Sequence, residues 1–331
     1  MVGPTWSNET DCYSGTQDVD TYLEGVRALP TFPSVLFRFL GLLADPGVRA
    51  EQLADFLYKD PGLLARVIPL VNSSSSGESV PVGYWKQAIA SLGRDRIRNL
   101  AFTTPLLCSF EPLRWGFDPI TYWERSLVCA HSCEALAREM GLPGPEQYYV
   151  AGLLHDIGYL LLLKKKPAAL QMVIERLAEE PGDLLELESQ VMGVDHCLLG
   201  YEVAGRLHLG PWIGRAIRDH HMPSLDSDWI TRLTAISSAF CHYKGIDFFP
   251  SRGLPQRDRQ RQMEQIIREL LPSMTGEAPT RLLAAMERMV QSLKAWISET
   301  IVDFYQASNG PPQSIHFLKG KMAFAASMSR M

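Results

Sequence analysis

Apolar residues recur at three- and four-residue spacing along most of this chain, and period-two alternation dies out wherever it starts, so the pattern predicts helices and no sheet. Helical periodicity begins near Thr21, after a polar lead-in over 1–20 that reads as a flexible N-terminus. Pro33 suits a first helical position and leads into Val35, Leu36, Phe39, Leu40, Leu42 and Leu43, until Asp45-Pro46-Gly47 ends the stripe. Leu53, Phe56 and Leu57 make the next. Asp60-Pro61 opens another, with Leu63, Leu64, Val67, Ile68, Leu70 and Val71. Asn72 to Gly77 reads as a loop, and 85–92 and 94–107 as two helices parted by Gly93.

A Pro-, Gly- and aromatic-rich stretch at 111–119 marks a boundary between two helical lobes, placed at 21–110 and 120–245. The second lobe is predicted to hold helices over 122–140, through the apolar run at 148–158, then over 168–179, 184–192, 195–207, 211–220 and 229–243. Residues 250–331 form an extension: a polar, Pro-containing piece to about 280, an amphipathic helix over 282–305 and a polar tail. That helix carries Met286, Met289, Val290, Leu293, Trp296, Ile297, Ile301 and Phe304 on one stripe. The stripe is expected to pack on the body, or to pair with a second copy in a homodimer.

Composition changes this picture little. The 331 residues carry a net charge of −5, which disfavours a general nucleic-acid binder because phosphates need a basic face. Lys164-Lys165-Lys166 and the cluster from Arg257 to Arg261 are short and lack interleaved aromatics, so they read as solvated faces. None of the six cysteines forms a C-x-x-C pair, and most lie in apolar helical contexts, as buried reduced thiols of a cytoplasmic protein would. The longest unbroken apolar run, 160–163, is far too short to span a bilayer.

The candidate chemistry is concentrated in histidine. Seven of the eight histidines fall between 131 and 242. His155-Asp156 closes an apolar helix, with Gly158 read as its stop signal; imidazole nitrogen plus carboxylate oxygen suits Zn, Mn or Fe. The doublet reads either as half of a metal phosphohydrolase site or as a helix-ending Asp that accepts hydrogen bonds from a buried His. His196 opens a later helix, followed at helical spacing by the small residues Gly200 and Ala204, and His220-His221 ends another. Three helix ends bearing His are thus placed to converge. His131, His208 and His242 read as ordinary core or surface residues.

The ordered combination Leu29-Pro30, Pro33, Asp60-Pro61, Asn72-Ser73, Ala88-Ile89, Leu92-Gly93, Trp123, the run Ala151 to Gly158, Asp195-His196, Gly200 and His220-His221 resembles the HDOD family over roughly 20–245. These are HD-related output domains of bacterial signalling proteins. The resemblance implies an all-α fold: an N-terminal helical bundle packed on a lobe similar to HD and HD-GYP phosphohydrolases. His155 and Asp156 match the family doublet, while His196 and His220 or His221 match added histidines. Arg125 stands where active HD enzymes carry a first His, Ser238 where they carry a distant Asp, and Tyr159 where a Lys would follow the doublet. A guanidinium cannot donate a lone pair to a metal, and a hydroxyl does not offset divalent charge. The expectation is therefore a non-catalytic signalling module with no cofactor, which binds a protein partner or a small ligand such as a nucleotide. The alternative is a divergent phosphohydrolase of cyclic dinucleotides or nucleotides, with a weakly bound divalent transition metal on His155, Asp156, His196, His220 and His221.

Overall fold

The computed structural model describes residues 16–23, 39, 42, 47–73, 80, 82–93, 97, 119–180, 182–207, 209–247 and 256–307. Among these every regular element is helical. Most of the stripe after Pro33, the helix expected over 94–107, the boundary up to 118, His208 and the tail after 307 lie outside the described residues. The helices are α1 (Thr16–Leu23), α2 (Ala50–Leu57), α3 (Pro61–Ser73) and α4 (Trp85–Ser91), then α5 (Pro119–Glu139), α6 (Pro145–Leu154), α7 (Gly158–Lys165) and α8 (Pro167–Glu179). They continue with α9 (Leu184–Met192), α10 (His196–Arg206), α11 (Pro211–Asp219), α12 (Trp229–Tyr243), α13 (Gln256–Leu270) and α14 (Ala278–Ala307).

Local chemistry explains many of the starts. Pro145, Pro167 and Pro211 sit at the openings of their helices, where the missing N–H costs no intrahelical bond. Asp60, Asp183, Asp195 and Asp228 each accept from a backbone N–H of the first turn: Leu63, Glu186, Leu198 and Thr231 respectively. Gly193, at φ +76°, closes α9 in the left-handed conformation that a side chain would resist. Three expectations need correction. α1 starts at Thr16, inside the segment read as a flexible lead-in, and Asn72 and Ser73 belong to the end of α3 rather than to a loop. Gly158 stops nothing: α6 already ends at Leu154, and Gly158 is the first residue of α7.

The chain divides into two compact units, Met1–Gln291 and Ser292–Met331. In the first, α5 and α6 pack side by side with α12 across both; α10 rests on α7 and α11, and α11 also meets α12. Leu127, Val128, Val150, Leu153, Leu161, Ile213, Leu233, Ile236 and Phe240 fill the space between them and are fully buried. Leu282 and Leu283 are buried in this unit as well, as are Met286 and Val290 of the predicted amphipathic stripe. From Ser292 the second unit contains the remainder of α14.

Candidate functional site

Close glycine contacts bring the polar groups together. A Cβ at Gly152 would stand 2.8 Å from Ala130 Cα and Cys129 O, so α6 lies against the α5 backbone, and Arg125 comes level with Asp156. A Cβ at Gly158 would stand 2.0 Å from His196 O, and one at Gly200 would stand 2.7 Å from Ile217 Cγ2. These approaches seat the start of α10 between the α6–α7 turn and the end of α11.

Three histidine-bearing helix ends therefore meet around one buried carboxylate. His155 Nε2 is 3.0 Å from Asp156 Oδ2, and His196 Nε2 and His220 Nε2 are each 3.5 Å from Oδ1. Each ring is held from behind. Nδ1 lies 2.8 Å from Gly152 O in His155, 2.8 Å from Ile217 O in His220 and 2.7 Å from Glu188 Oε2 in His196. Those oxygens accept, which assigns a proton to each Nδ1 and turns each Nε2 toward Asp156. His155 Nε2, His220 Nε2 and Asp156 Oδ1 are buried with no hydrogen-bond partner among the described residues.

The other side of the carboxylate is filled. Arg125 Nε donates to Asp156 Oδ2 at 2.9 Å, one terminal nitrogen donates to Ser238 Oγ at 2.8 Å, and the other donates to Ile246 O at 3.3 Å. Burial alone would raise the Asp156 carboxyl, but His155 and then Arg125 outweigh it and hold the group well below the usual carboxylate range. Burial likewise opposes the charge on Arg125, and Asp156 and Asp247 overcome it.

Tyr159 points away from Asp156: its hydroxyl donates to Glu188 Oε1, and its ring stacks on His196 with centroids 4.2 Å apart. His221 lies over His220 and His196, at centroid separations of 4.3 and 5.1 Å. Sequence reasoning missed two members of the site. Glu188 is fully buried and accepts from both the backbone N–H and the ring of His196. Its signal was an acidic residue four positions from both Leu184 and Met192, in line with the buried stripe of α9. The Cys197 thiol lies 3.4 Å from His196 Nε2 and 3.8 Å from His220 Nδ1; adjacency to His196 in the first turn of α10 was its only trace. His131 meets Tyr149 edge-on, and the exposed His242 pairs with Asp247.

Burial pulls His220 down to about 4 and His221 well below its ordinary value, whereas Cys197 and Glu188 outweigh burial at His196 and hold it high. Burial pushes the Cys197 thiol up to about 12. Between pH 4 and 6.5 the unfolded chain binds a proton at residue 220 that the folded chain refuses. Stability from His220 is thus present above pH 6.5 and lost as pH falls toward 4, by at most about 3 kcal/mol. His221 acts with the same sign. His196 acts oppositely but above pH 6.5, where only the unfolded chain releases its proton. Urea unfolding of chelator-treated protein should show higher stability at pH 6.5 than at pH 5; equal stability would contradict the buried neutral ring.

The donor atoms of His155, Asp156 and His220 lie within 4.8 Å of one another, and their unpartnered state fits a small cation on the Oδ1 face. The Arg125 guanidinium bridges Asp156 to Ser238. The fold and the site together define an HD-related all-helical module. The HDOD domain family matches residues 29–223, more than half of the chain, and the chain belongs to that family. Its fold is similar to that of an HDOD domain protein of unknown function from Geobacter sulfurreducens, with 26% identity and a TM-score of 0.51 over 86% of this chain and 97% of that one. The MmoQ response regulator of Methylococcus capsulatus is similar at 23% identity and a TM-score of 0.54, over 78% of this chain and 98% of that chain. An uncharacterized protein of Treponema pallidum is 22% identical over 275 residues, and the match covers 81% of this chain and half the length of that relative.

Proposed function

We propose that the chain is a non-catalytic HDOD signalling module that acts by binding a protein partner or a small ligand such as a nucleotide. The observation that carries this reading is the seat of Arg125. Its three nitrogens are bonded to Asp156, Ser238 and Ile246 O, and a permanent cation occupies ground where a hydrolytic ion would need imidazole and carboxylate. Hydrolysis by this class of site requires a metal to make hydroxide near neutral pH. With Arg125 and Ser238 in place, two ligands are lost and a like charge stands beside the ion.

A second reading, a divergent metal-dependent phosphohydrolase, is favoured by the three unpartnered atoms of His155, Asp156 and His220. One assay separates the two. Purified protein with added manganese, zinc or iron(II) is expected to turn over neither a cyclic dinucleotide nor a phosphomonoester above the metal-free blank. The double substitution Arg125→His with Ser238→Asp is expected to raise metal affinity. Metal-dependent turnover by the unmodified chain that disappears in Asp156→Asn would overturn the non-catalytic reading.

A further inference from the structure

We infer that α1 is an intramolecular strap, and that its seat on α7, α9 and α10 is the docking site for an acidic amphipathic helix of a partner protein. The inference takes from the preceding section only that the module binds a protein, and it does not depend on the absence of hydrolysis. α1 spans Thr16–Leu23, ahead of residues 29–223 that match the HDOD family, whereas α7, α9 and α10 lie within that match. A segment outside the family core therefore covers part of the surface of that core. Val19, Tyr22 and Leu23, spaced as one face of a helix, are buried against it. Two hydrogen bonds fix the two sides of the seat. The Tyr22 hydroxyl donates to Met192 O at 2.8 Å, at the end of α9, and Arg206 of α10 donates to Leu23 O at 3.3 Å.

Charge says what kind of helix this seat takes. The eight residues of α1 include two aspartates and no lysine or arginine. The seat supplies the opposite sign. Lys166 Nζ lies 5.9 Å from the centre of the Tyr22 ring, within cation–π reach, and Arg206 meets a carbonyl at the negative end of the helix. Lys164 and Lys165 stand exposed beside Lys166 at the end of α7, so the lysine run that reads as a solvated face in the sequence flanks this seat. A helix of eight residues is too short to be stable alone and owes its form to the surface beneath it. A longer partner helix with the same apolar face and charge makes the same contacts and adds more, which is what displaces α1 from its advantage of being tethered. Displacement reaches the buried site. Met192 O precedes the turn at Gly193; α9 on one side of that turn carries Glu188, and α10 on the other opens with the His196 that Glu188 braces.

Two measurements on the full chain test the strap, and neither reads turnover, so hydrolysis in the assay above would overturn the non-catalytic reading without moving either. In hydrogen exchange the α1 amides are expected to exchange about a hundredfold faster than those of α5 and α12. Tyr22→Phe, which removes only the hydroxyl, should speed α1 by a further factor of about two to ten. Exchange of α1 no faster than that of α5 and α12 would make it part of the core and overturn the strap. In the second measurement a fluorescent peptide of residues 14–25 is titrated into the parent and into Leu23→Asp, which loosens the resident helix. Leu23→Asp should bind one peptide per chain about tenfold more tightly than the parent, and Tyr22→Phe should shift affinity the same way by about two- to tenfold. A peptide carrying Asp18→Lys and Asp20→Lys should bind the loosened chain about tenfold more weakly than the native peptide. Equal binding by the parent and both variants, or by the two peptides, would overturn the assignment. A dimeric parent that becomes monomeric in Leu23→Asp would give the seat to α1 of a second copy and overturn it as well.

Discussion

Arg125→Met is expected to cost about 3–5 kcal/mol of folding free energy, as breaking one partner of a buried ion pair does. Asp156 is 2% exposed and is ionised in the folded chain. Methionine fills much of the volume but takes away the bond to Oδ2 and strands the Ser238 hydroxyl and the Ile246 carbonyl. Arg125→Lys is expected to fall between, because an ammonium is a point donor and cannot span Asp156, Ser238 and Ile246 O together. The double variant Arg125→Met with Asp156→Asn should recover a large part of the loss, because no unpaired charge remains buried. Urea unfolding of the parent, Arg125→Met, Arg125→Lys, Asp156→Asn and the double variant at one pH decides the matter. A loss below about 1 kcal/mol in the single variant, or a double variant no better than the sum of its parts, would mean that the pair is not what holds the carboxylate.

That pairing shows what a sequence makes legible. Arg125 lies on α5, Asp156 in the turn between α6 and α7, and Ser238 on α12, and only a resemblance to a family pattern could suggest that they share a site. Once they were placed together, the chemistry of a fixed cation beside a carboxylate followed from residue type. Helix positions were readable because period 3.6 and proline or aspartate at the starts act locally; the ranges 184–192 and 229–243 coincide with α9 and α12. Glu188 and Cys197 escaped for the opposite reason. A buried glutamate on an apolar stripe looks like an ordinary break in the pattern until the imidazole it braces is known. A thiol beside His196 looks like any small core residue. Gly158 was misread because glycine is ambiguous along a chain. It ends a helix when its backbone is left-handed, and it admits a second helix when its missing Cβ is what matters.

Gly158→Ala is the second substitution with a large expected effect, and it acts entirely through that missing Cβ. The added carbon would stand 2.0 Å from His196 O, 2.9 Å from His196 C and 3.0 Å from Gly200 N, all backbone atoms that no rotamer change can move. Relief requires α7 and α10 to separate by about 1 Å, so the cost should reach or exceed the upper end of the usual overpacking range, about 3 kcal/mol. The same shift would pull His196 off Asp156 and Cys197. Gly205, on α10, supplies the control: a Cβ there meets nothing within 4 Å. Gly205→Ala removes only backbone freedom and should stabilise the chain by about 0.5–1 kcal/mol. Thermal melts of the two variants should therefore move in opposite directions from the parent. A Gly158→Ala protein that melts with its parent would show that α7 and α10 do not press together, and that His196 owes its place to something other than that contact.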